Sequence, residues 1–353
     1  MKLNLINRFT VNEQYAVLLV VFLLPGSMLA SCAYAASAGQ QQCAGKADKE
    51  RLECYDAYAA ASNAPAAPPL ETAAAAQRSY LTRSWDLDHR DDELLGDQQS
   101  PLRPHRTSYL IARKTGQPNE RPNSPTHVAT AASADIDLNE IKFQISQKGQ
   151  ILNPLKMNFL GFTGVRLWGA YTQQSNWQAF NAKNSSPFRE TNYEPELILS
   201  FSTGNQYGLK LLNLAYAHQS NGRDLTGSRS WNRAYLQGGW ETETVSVLVR
   251  RWWRIPEGDG LDDNPDIEDY YGRGDITLRW EPADSSQMVD LTLRNNLRSD
   301  QNRGFVQLDW AVPFTISKST KLHIQFTSGY GESLIDYNFH QNTLGLGISF
   351  RDW

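Results

Sequence analysis

An antiparallel transmembrane β-barrel of about twelve strands is the architecture to which this 353-residue sequence points. From about Tyr109 onward apolar residues recur with a period of two, the period of a strand with one apolar face. The segments approach the ~10 residues that a tilted membrane strand needs. Trp and Tyr gather at their ends, as in an interfacial girdle, and Trp353 puts an aromatic at the end of the last one. A soluble sandwich also alternates, with its apolar face inward; segment length and aromatic placement separate the two. Backbone polar groups in lipid must all pair, so such a sheet closes on itself.

The first residues differ. Lys2 and Arg8 precede a short apolar core, Ala16 to Leu24, broken by Pro25-Gly26. This reads as a secretory signal peptide over residues 1–35, too short for a stable span. Ala33-Tyr34-Ala35 fits the cleavage rule and would free Ala36. Leu29-Ala30-Ser31-Cys32 resembles a lipobox, which would lipidate Cys32. Residues 36–107 read as a periplasmic N-terminal segment. Cys43 and Cys54 are expected to pair, because exported thiols usually do; two free thiols on or beside a short helix, Ala47 to Ala61, are the alternative. Ser62 to Ala76 is an Ala/Pro-rich linker. Arg78 to Arg106 is charged and patternless, and is expected to be a mobile arm. The barrel then occupies residues 108–353.

Its strands follow in order. Val165, Leu167 and Tyr171 oppose Arg166 and Thr172; Leu197, Leu199 and Phe201 oppose Glu196 and Ser200. Ile276, Leu278 and Trp280 enclose Thr277 and Arg279, and Val289, Leu291 and Leu293 enclose Asp290 and Thr292. Val306, Leu308, Trp310 and Val312, then Leu322, Ile324 and Phe326, then Leu344, Leu346, Ile348 and Phe350 repeat the pattern. One face is apolar and the other is polar or charged, which predicts a packed or narrow lumen.

Composition removes several function classes. No second stretch of ~20 apolar residues follows the first, so a helical membrane bundle is excluded. Thirty-four Lys and Arg against 38 Asp and Glu give a net charge of −4, and nothing points to nucleic acid, which demands clustered positive charge. All three Cys precede residue 55, excluding a Cys-based metal cluster in the main body.

Chemistry concentrates between Tyr216 and Gln237. His218 and Ser220 are two apart on a strand, so their side chains share a face with Leu212, Leu214 and Tyr216. That is the lipid face, where polar groups are costly unless they bond each other. Asn221 to Arg229 is a polar turn. On the return strand Asn232 shares its parity with Ala234, Leu236 and Trp240. A hairpin therefore sets Asn232 beside His218 on the barrel exterior. A Ser hydroxyl becomes a nucleophile when a base takes its proton. His218 can be that base, and the Asn232 oxygen can fix its tautomer and orientation. A neutral amide also avoids burying another charge beside lipid. An isolated H-x-S occurs by chance, and a polar rim bonding to headgroups would explain it; the shared parity of all three residues argues against that. Gln173, in parity with Leu167 and Tyr171, also faces outward. An amide there needs a partner, unless the strand has already left the hydrocarbon.

Long runs carry more information than these short patterns. They are His218-Gln219-Ser220-Asn221-Gly222-Arg223, Ser228-Arg229-Ser230-Trp231-Asn232-Arg233 and Asp262-Asp263-Asn264-Pro265-Asp266. Two further runs extend from Ser185 to Pro195 and from Gly329 to Tyr337. Over about Tyr109 to Trp353 the chain resembles the outer membrane phospholipase A family. The resemblance implies a calcium-dependent lipase of a Gram-negative outer membrane, acting on phospholipid acyl esters from the barrel exterior (phospholipase A1, A2 and lysophospholipase activities) as a homodimer. It implies Ser220 as nucleophile, His218 as base and Asn232 as the residue orienting His218. It implies Ca2+ held by the Arg223 carbonyl and the Ser228 side chain, with Ser185 supplied by the neighbouring protomer. Asp263 matches a further calcium-associated position, just after an insertion around Gly258-Asp259-Gly260. Gln173 matches a dimer contact. The Gly222 N–H, with calcium, would stabilise the oxyanion of an acyl ester under attack. Calcium takes several oxygen ligands, more than one loop offers, so completing its shell across a dimer ties activity to association.

Two other readings are a non-enzymatic pore or structural barrel with a decorated rim, and a soluble Ser esterase. The sequence has no G-x-S-x-G elbow before a helix, which argues against the last.

Overall fold

The structure, a computed structural model, describes residues 49–50, 53, 78–89, 102–128, 135–152, 154–203, 208–258, 260, 262–314 and 317–350. The expected signal peptide, Cys32, Cys43, Cys54, the Ala/Pro-rich linker and Trp353 lie outside them. Of the expected helix Ala47 to Ala61, Lys49, Glu50 and Glu53 are described; they are helical and exposed. The chain divides into two units, Met1–Ala76 and Gln77–Trp353, and the second carries the sheet.

Its strands are β1 Arg103–Pro104, β2 Tyr109–Thr115, β3 Asn139–Gln150, β4 Leu155–Phe159, β5 Phe162–Trp177, β6 Phe188–Thr203, β7 Leu209–Ser220, β8 Ser230–Glu241, β9 Val245–Ile255, β10 Gly274–Trp280, β11 Met288–Asn295, β12 Gly304–Phe314, β13 Ser317–Tyr330 and β14 His340–Phe350. Every pairing is antiparallel. Neighbours in sequence pair from β5 round to β14, β14 returns to β2, β2 pairs with β3, and β3 closes the circle onto β5 from Ile141↔Trp177 to Gln150↔Trp168. The wall thus has twelve strands, β2, β3 and β5 to β14. The short β1 and β4 extend it at one end, on β3 and β5. Closure leaves no open edge across the wall, as lipid requires of spanning strands.

The predicted parity holds. Leu197, Leu199, Leu278, Trp280, Leu308, Trp310, Leu344 and Leu346 are exposed on the outside, while Arg166, Thr172, Glu196, Ser200, Arg279 and Asp290 are buried inside. Polarity is inverted relative to a soluble protein, and the interior is held by ion pairs. Arg113 pairs with Glu140 and Glu332, Lys142 reaches Glu332 at 3.0 Å, and Arg189 reaches Asp336 at 2.6 Å. Arg106 spans Glu194 at 2.8 Å and Glu196 at 3.0 Å. Removing one partner of such a buried pair strands the other charge, at about 3–5 kcal/mol. The remaining lumen is a polar cavity of about 240 Å³.

The expectation of a mobile arm over Arg78 to Arg106 is corrected for its described residues, 78–89 and 102–106. Helix α1, Tyr80–Trp85, is lodged against the inner wall. Leu81 and Trp85 are buried with Trp168, Ala170, Ile198 and Leu211. Glu241 accepts the Leu81 N–H at 2.9 Å, Lys148 lies 3.5 Å over the Trp85 ring, and Arg103 donates to the Arg83 carbonyl at 2.8 Å. The described parts of this segment pack inside the barrel end opposite the tip of β7. Glu241→Ala should free the α1 N-terminus: amide exchange over Tyr80–Trp85 should rise roughly 10-fold, the equivalent of ~1–3 kcal/mol for lost acceptors, with barrel strands unchanged. Equal protection in both proteins would contradict this docking.

Candidate active site

The hairpin β7–β8 positions the site. Its register sets His218 opposite Asn232 and Ser220 opposite Ser230. Leu214 and Tyr216 before His218, and Ala234 and Leu236 after Asn232, are exposed. The inward residues between them, Ala217, Trp231 and Tyr235, are buried. The site therefore lies on the outer, apolar face, with a stiff backing. Trp231 meets the Trp252 and Tyr271 rings edge-on, donates from Nε1 to Gln219 at 2.9 Å, and lies 4.2 Å under the Arg233 guanidinium. Each aromatic pair contributes about 0.5–1.5 kcal/mol beyond its buried area. Such packing limits how far the hairpin can shift.

His218 Nδ1 lies 2.9 Å from Asn232 Oδ1. An amide oxygen only accepts, so Nδ1 carries the proton and Nε2 keeps a free lone pair. Asn232 Oδ1 also accepts from the Tyr216 hydroxyl at 2.7 Å, and Asn232 Nδ2 donates to Glu257 Oε1 at 3.0 Å. Ser220 shares the outer face beyond His218; among the described residues no hydrogen bond joins its hydroxyl to the imidazole.

The turn after Ser220 is tied by Asn221. Its side chain accepts from the Arg229 N–H at 3.0 Å and donates to the Gly227 carbonyl at 2.8 Å, while its own N–H donates to the Arg229 carbonyl at 3.0 Å. Just after Asn221, Gly222 takes φ +62°, and an added Cβ would come within 3.1 Å of the Tyr193 ring. The Gly222 N–H has no acceptor among the described residues. Both features leave a backbone donor available two residues after Ser220.

The expected metal positions are partly brought together. Ser228 Oγ donates to Asp263 Oδ2 at 2.6 Å, and Asn264 Oδ1 accepts the Ser230 N–H at 3.0 Å, pinning that loop to the hairpin. The Asp263 carbonyl is held in turn by Ser124 at 2.7 Å and Thr126 at 2.9 Å. Arg223 is exposed, and its guanidinium is drawn to Glu190 and the Arg189 carbonyl. No cage of three or more His, Cys, Asp or Glu side chains forms among the described residues. A hydroxyl, a carboxylate and loop carbonyls are nevertheless the oxygen donors that suit a hard divalent cation. Ser185 stands apart on the β5–β6 connection, exposed at φ 61°. Gln173 is on the outer face; Tyr171 donates to its Oε1 at 3.1 Å and its Nε2 donates to Ser175 at 3.3 Å. It is in register with Tyr193, which is in register with Ser220, so the three share one row across the wall.

Two contacts escaped the sequence reading, Tyr216 and Glu257 on Asn232. Parity sets Tyr216 on the outer face with the apolar residues and does not show its hydroxyl reaching Asn232. Glu257 follows Ile255, the β9 residue opposite Asn232, and finding it requires the register of a third strand. Burial, and then the charge of Asp262, push its carboxyl above the ordinary carboxylate range, against the pull of Arg254.

A transmembrane barrel that carries a serine, a histidine and an amide on its outer face is thereby defined as a class. A model of the phospholipase A1 family matches residues 81–350. The chain is 37% identical over 259 residues to the phospholipase A1 of Escherichia coli K12, covering 72% of this chain and 83% of that one. It is 36% identical over 282 residues to a putative phospholipase A1 of Neisseria meningitidis serogroup B, covering 77% and 70%. Among solved structures it is similar to the Salmonella typhi outer membrane phospholipase dimer with bound calcium, at TM-score 0.61 and 35% identity over 74% of this chain and 96% of that one. The E. coli outer membrane phospholipase A gives 0.60 and 36%, over 72% and 99%. The chain belongs to the phospholipase A1 family, the outer membrane phospholipases, and is an ester hydrolase of phospholipids. The reading as a non-enzymatic pore gives way to this.

Replacing Asn221 by Ala should loosen the turn alone, raising amide exchange at Arg229 roughly 10-fold for the loss of one buried acceptor. Asn221→Asp, which keeps the acceptor, should lie between. Unchanged exchange in both variants would rule out the clamp.

Proposed function

We propose that this chain is a calcium-dependent phospholipase of a Gram-negative outer membrane. It cleaves acyl esters of phospholipids and lysophospholipids at either glycerol position, by a Ser220–His218–Asn232 site on the barrel exterior, and it works as a homodimer. The observation that carries this reading is the 2.9 Å contact of His218 Nδ1 with Asn232 Oδ1 on the same outward face as Ser220.

The Ser220 hydroxyl attacks the acyl carbonyl as His218 Nε2 takes its proton. Asn232 holds the imidazole through Nδ1–H, and the Gly222 N–H donates to the developing oxyanion. His218 passes the proton to the departing glycerol oxygen, leaving the acyl chain on Ser220. Water, deprotonated by His218, then releases the fatty acid. Substrate chains stay in lipid, and only the ester has to reach the strand tip. The Arg223 carbonyl, Ser228 and Asp263 would hold Ca2+, which when bound supplies positive charge near the oxyanion. Ser185 and Gln173 do not reach this cluster within one chain, which supports their action across a dimer; the S. typhi relative is itself a dimer with bound calcium.

Ser220→Ala should abolish lipid hydrolysis, at least ~10³-fold in kcat, with the folded barrel intact by heat-modifiable gel mobility. Wild-type protein should lose turnover in a chelator and regain it on calcium titration. Retained hydrolysis by Ser220→Ala would dismiss the site. Cross-linking through Gln173→Cys should trap pairs when calcium and substrate are present; equal turnover by fully monomeric protein would refute gating by association.

A further inference from the structure

An amide is an ambiguous partner for a catalytic imidazole, because only its oxygen end can accept the Nδ1 proton of His218. Something must choose which way the amide faces. Here the oxygen end accepts from both His218, at 2.9 Å, and Tyr216, at 2.7 Å. The nitrogen end donates to Glu257 at 3.0 Å. An ionised carboxylate only accepts. Turning the amide over would set Asn232 Oδ1 against Glu257 Oε1, and its NH2 group against the His218 N–H. The chain delivers this carboxylate by register: Asn232 pairs with Ile255, the last residue of β9, and Glu257 follows two residues later.

We propose that Glu257 is a positioning residue that fixes the Asn232 amide with its oxygen toward His218, and that Asn232 and Glu257 together supply what a single carboxylate supplies in other triads. The charge-assisted bond from Nδ2 polarises the amide, making Oδ1 a better acceptor for the imidazolium formed during the reaction. The negative charge then sits one hydrogen bond further from the histidine. The same geometry accounts for a neutral residue at position 232. A carboxylate there would face Glu257 at hydrogen-bonding distance, and two such groups cannot both ionise at ordinary cost.

This rests on the Ser220–His218–Asn232 reading, and the test separates the two. Steady-state hydrolysis of a dispersed phospholipid, with calcium present, is measured for Ser220→Ala, Glu257→Ala, Glu257→Gln, Asn232→Asp and the double variant Asn232→Asp/Glu257→Gln, each confirmed as a folded barrel by gel mobility. Glu257→Ala should lower kcat roughly 10- to 100-fold, the value of a hydrogen bond to a charged group, with KM within about 2-fold. Glu257→Gln, whose oxygen still accepts from Nδ2, should fall between that variant and wild type. Asn232→Asp should be strongly impaired. The double variant, in which the amide introduced at position 257 donates to the carboxylate introduced at position 232, should recover at least ~10-fold over Asn232→Asp. Wild-type kcat in Glu257→Ala, an effect confined to KM, or no recovery in the double variant would each overturn the inference. If Ser220→Ala stays active, the underlying reading fails instead. If Glu257→Ala does not fold, Glu257→Gln and the double variant decide.

Discussion

A polar group on a lipid-facing wall has no water to turn to, so it must find its partners among its neighbours. That constraint shapes both surfaces of this barrel. Inside, charged side chains pair with one another from strand to strand, as Arg113 of β2 does with Glu140 of β3. Outside, four polar side chains beside Ser220 gather into one connected set. Tyr216, His218, Asn232 and Glu257 form a single chain of hydrogen bonds. The imidazole is thereby fixed in one tautomer on a face otherwise made of Leu, Trp and Tyr.

Precision at the site comes from the inverted interior. The aromatic cluster of Trp231, Trp252, Tyr271 and Tyr337 stands directly behind the reactive strands, and the loop carrying Asp263 and Asn264 is tied to the hairpin by Ser228 and Ser230. Toward the opposite barrel end, α1 packs against the inner wall through Leu81 and Trp85. The packed lumen thus backs the proposed site, which lies on the wall that meets lipid. An enzyme whose substrate is the membrane gains from this arrangement, because the acyl chains never leave lipid.

Much of this was legible in the residues. A period of two reports directly which side chains share a face, so the apolar exterior, the polar lumen and the meeting of His218 with Asn232 followed from counting along β7 and β8. Three things were not legible. Helix α1 has only six residues and buries two of them, too few to give a helical period, and Arg83 within it and Arg78, Asp86 and Asp88 beside it resemble a solvated segment until their partners are known. Glu257 lies in a connection, where no periodicity constrains the path, and its contact depends on the β8–β9 register. The row linking Gln173, Tyr193 and Ser220 likewise spans three strands whose stagger no local pattern encodes.

The central claim is that the nucleophile faces lipid, and depth-resolved quenching tests it most directly. A fluorophore on Ser220→Cys, in bilayers containing brominated acyl chains, should be quenched strongly, while the same label on Gln219→Cys, one residue away and pointing inward, should not. Quenching of the second and not the first would place the hydroxyl in the lumen and contradict the claim.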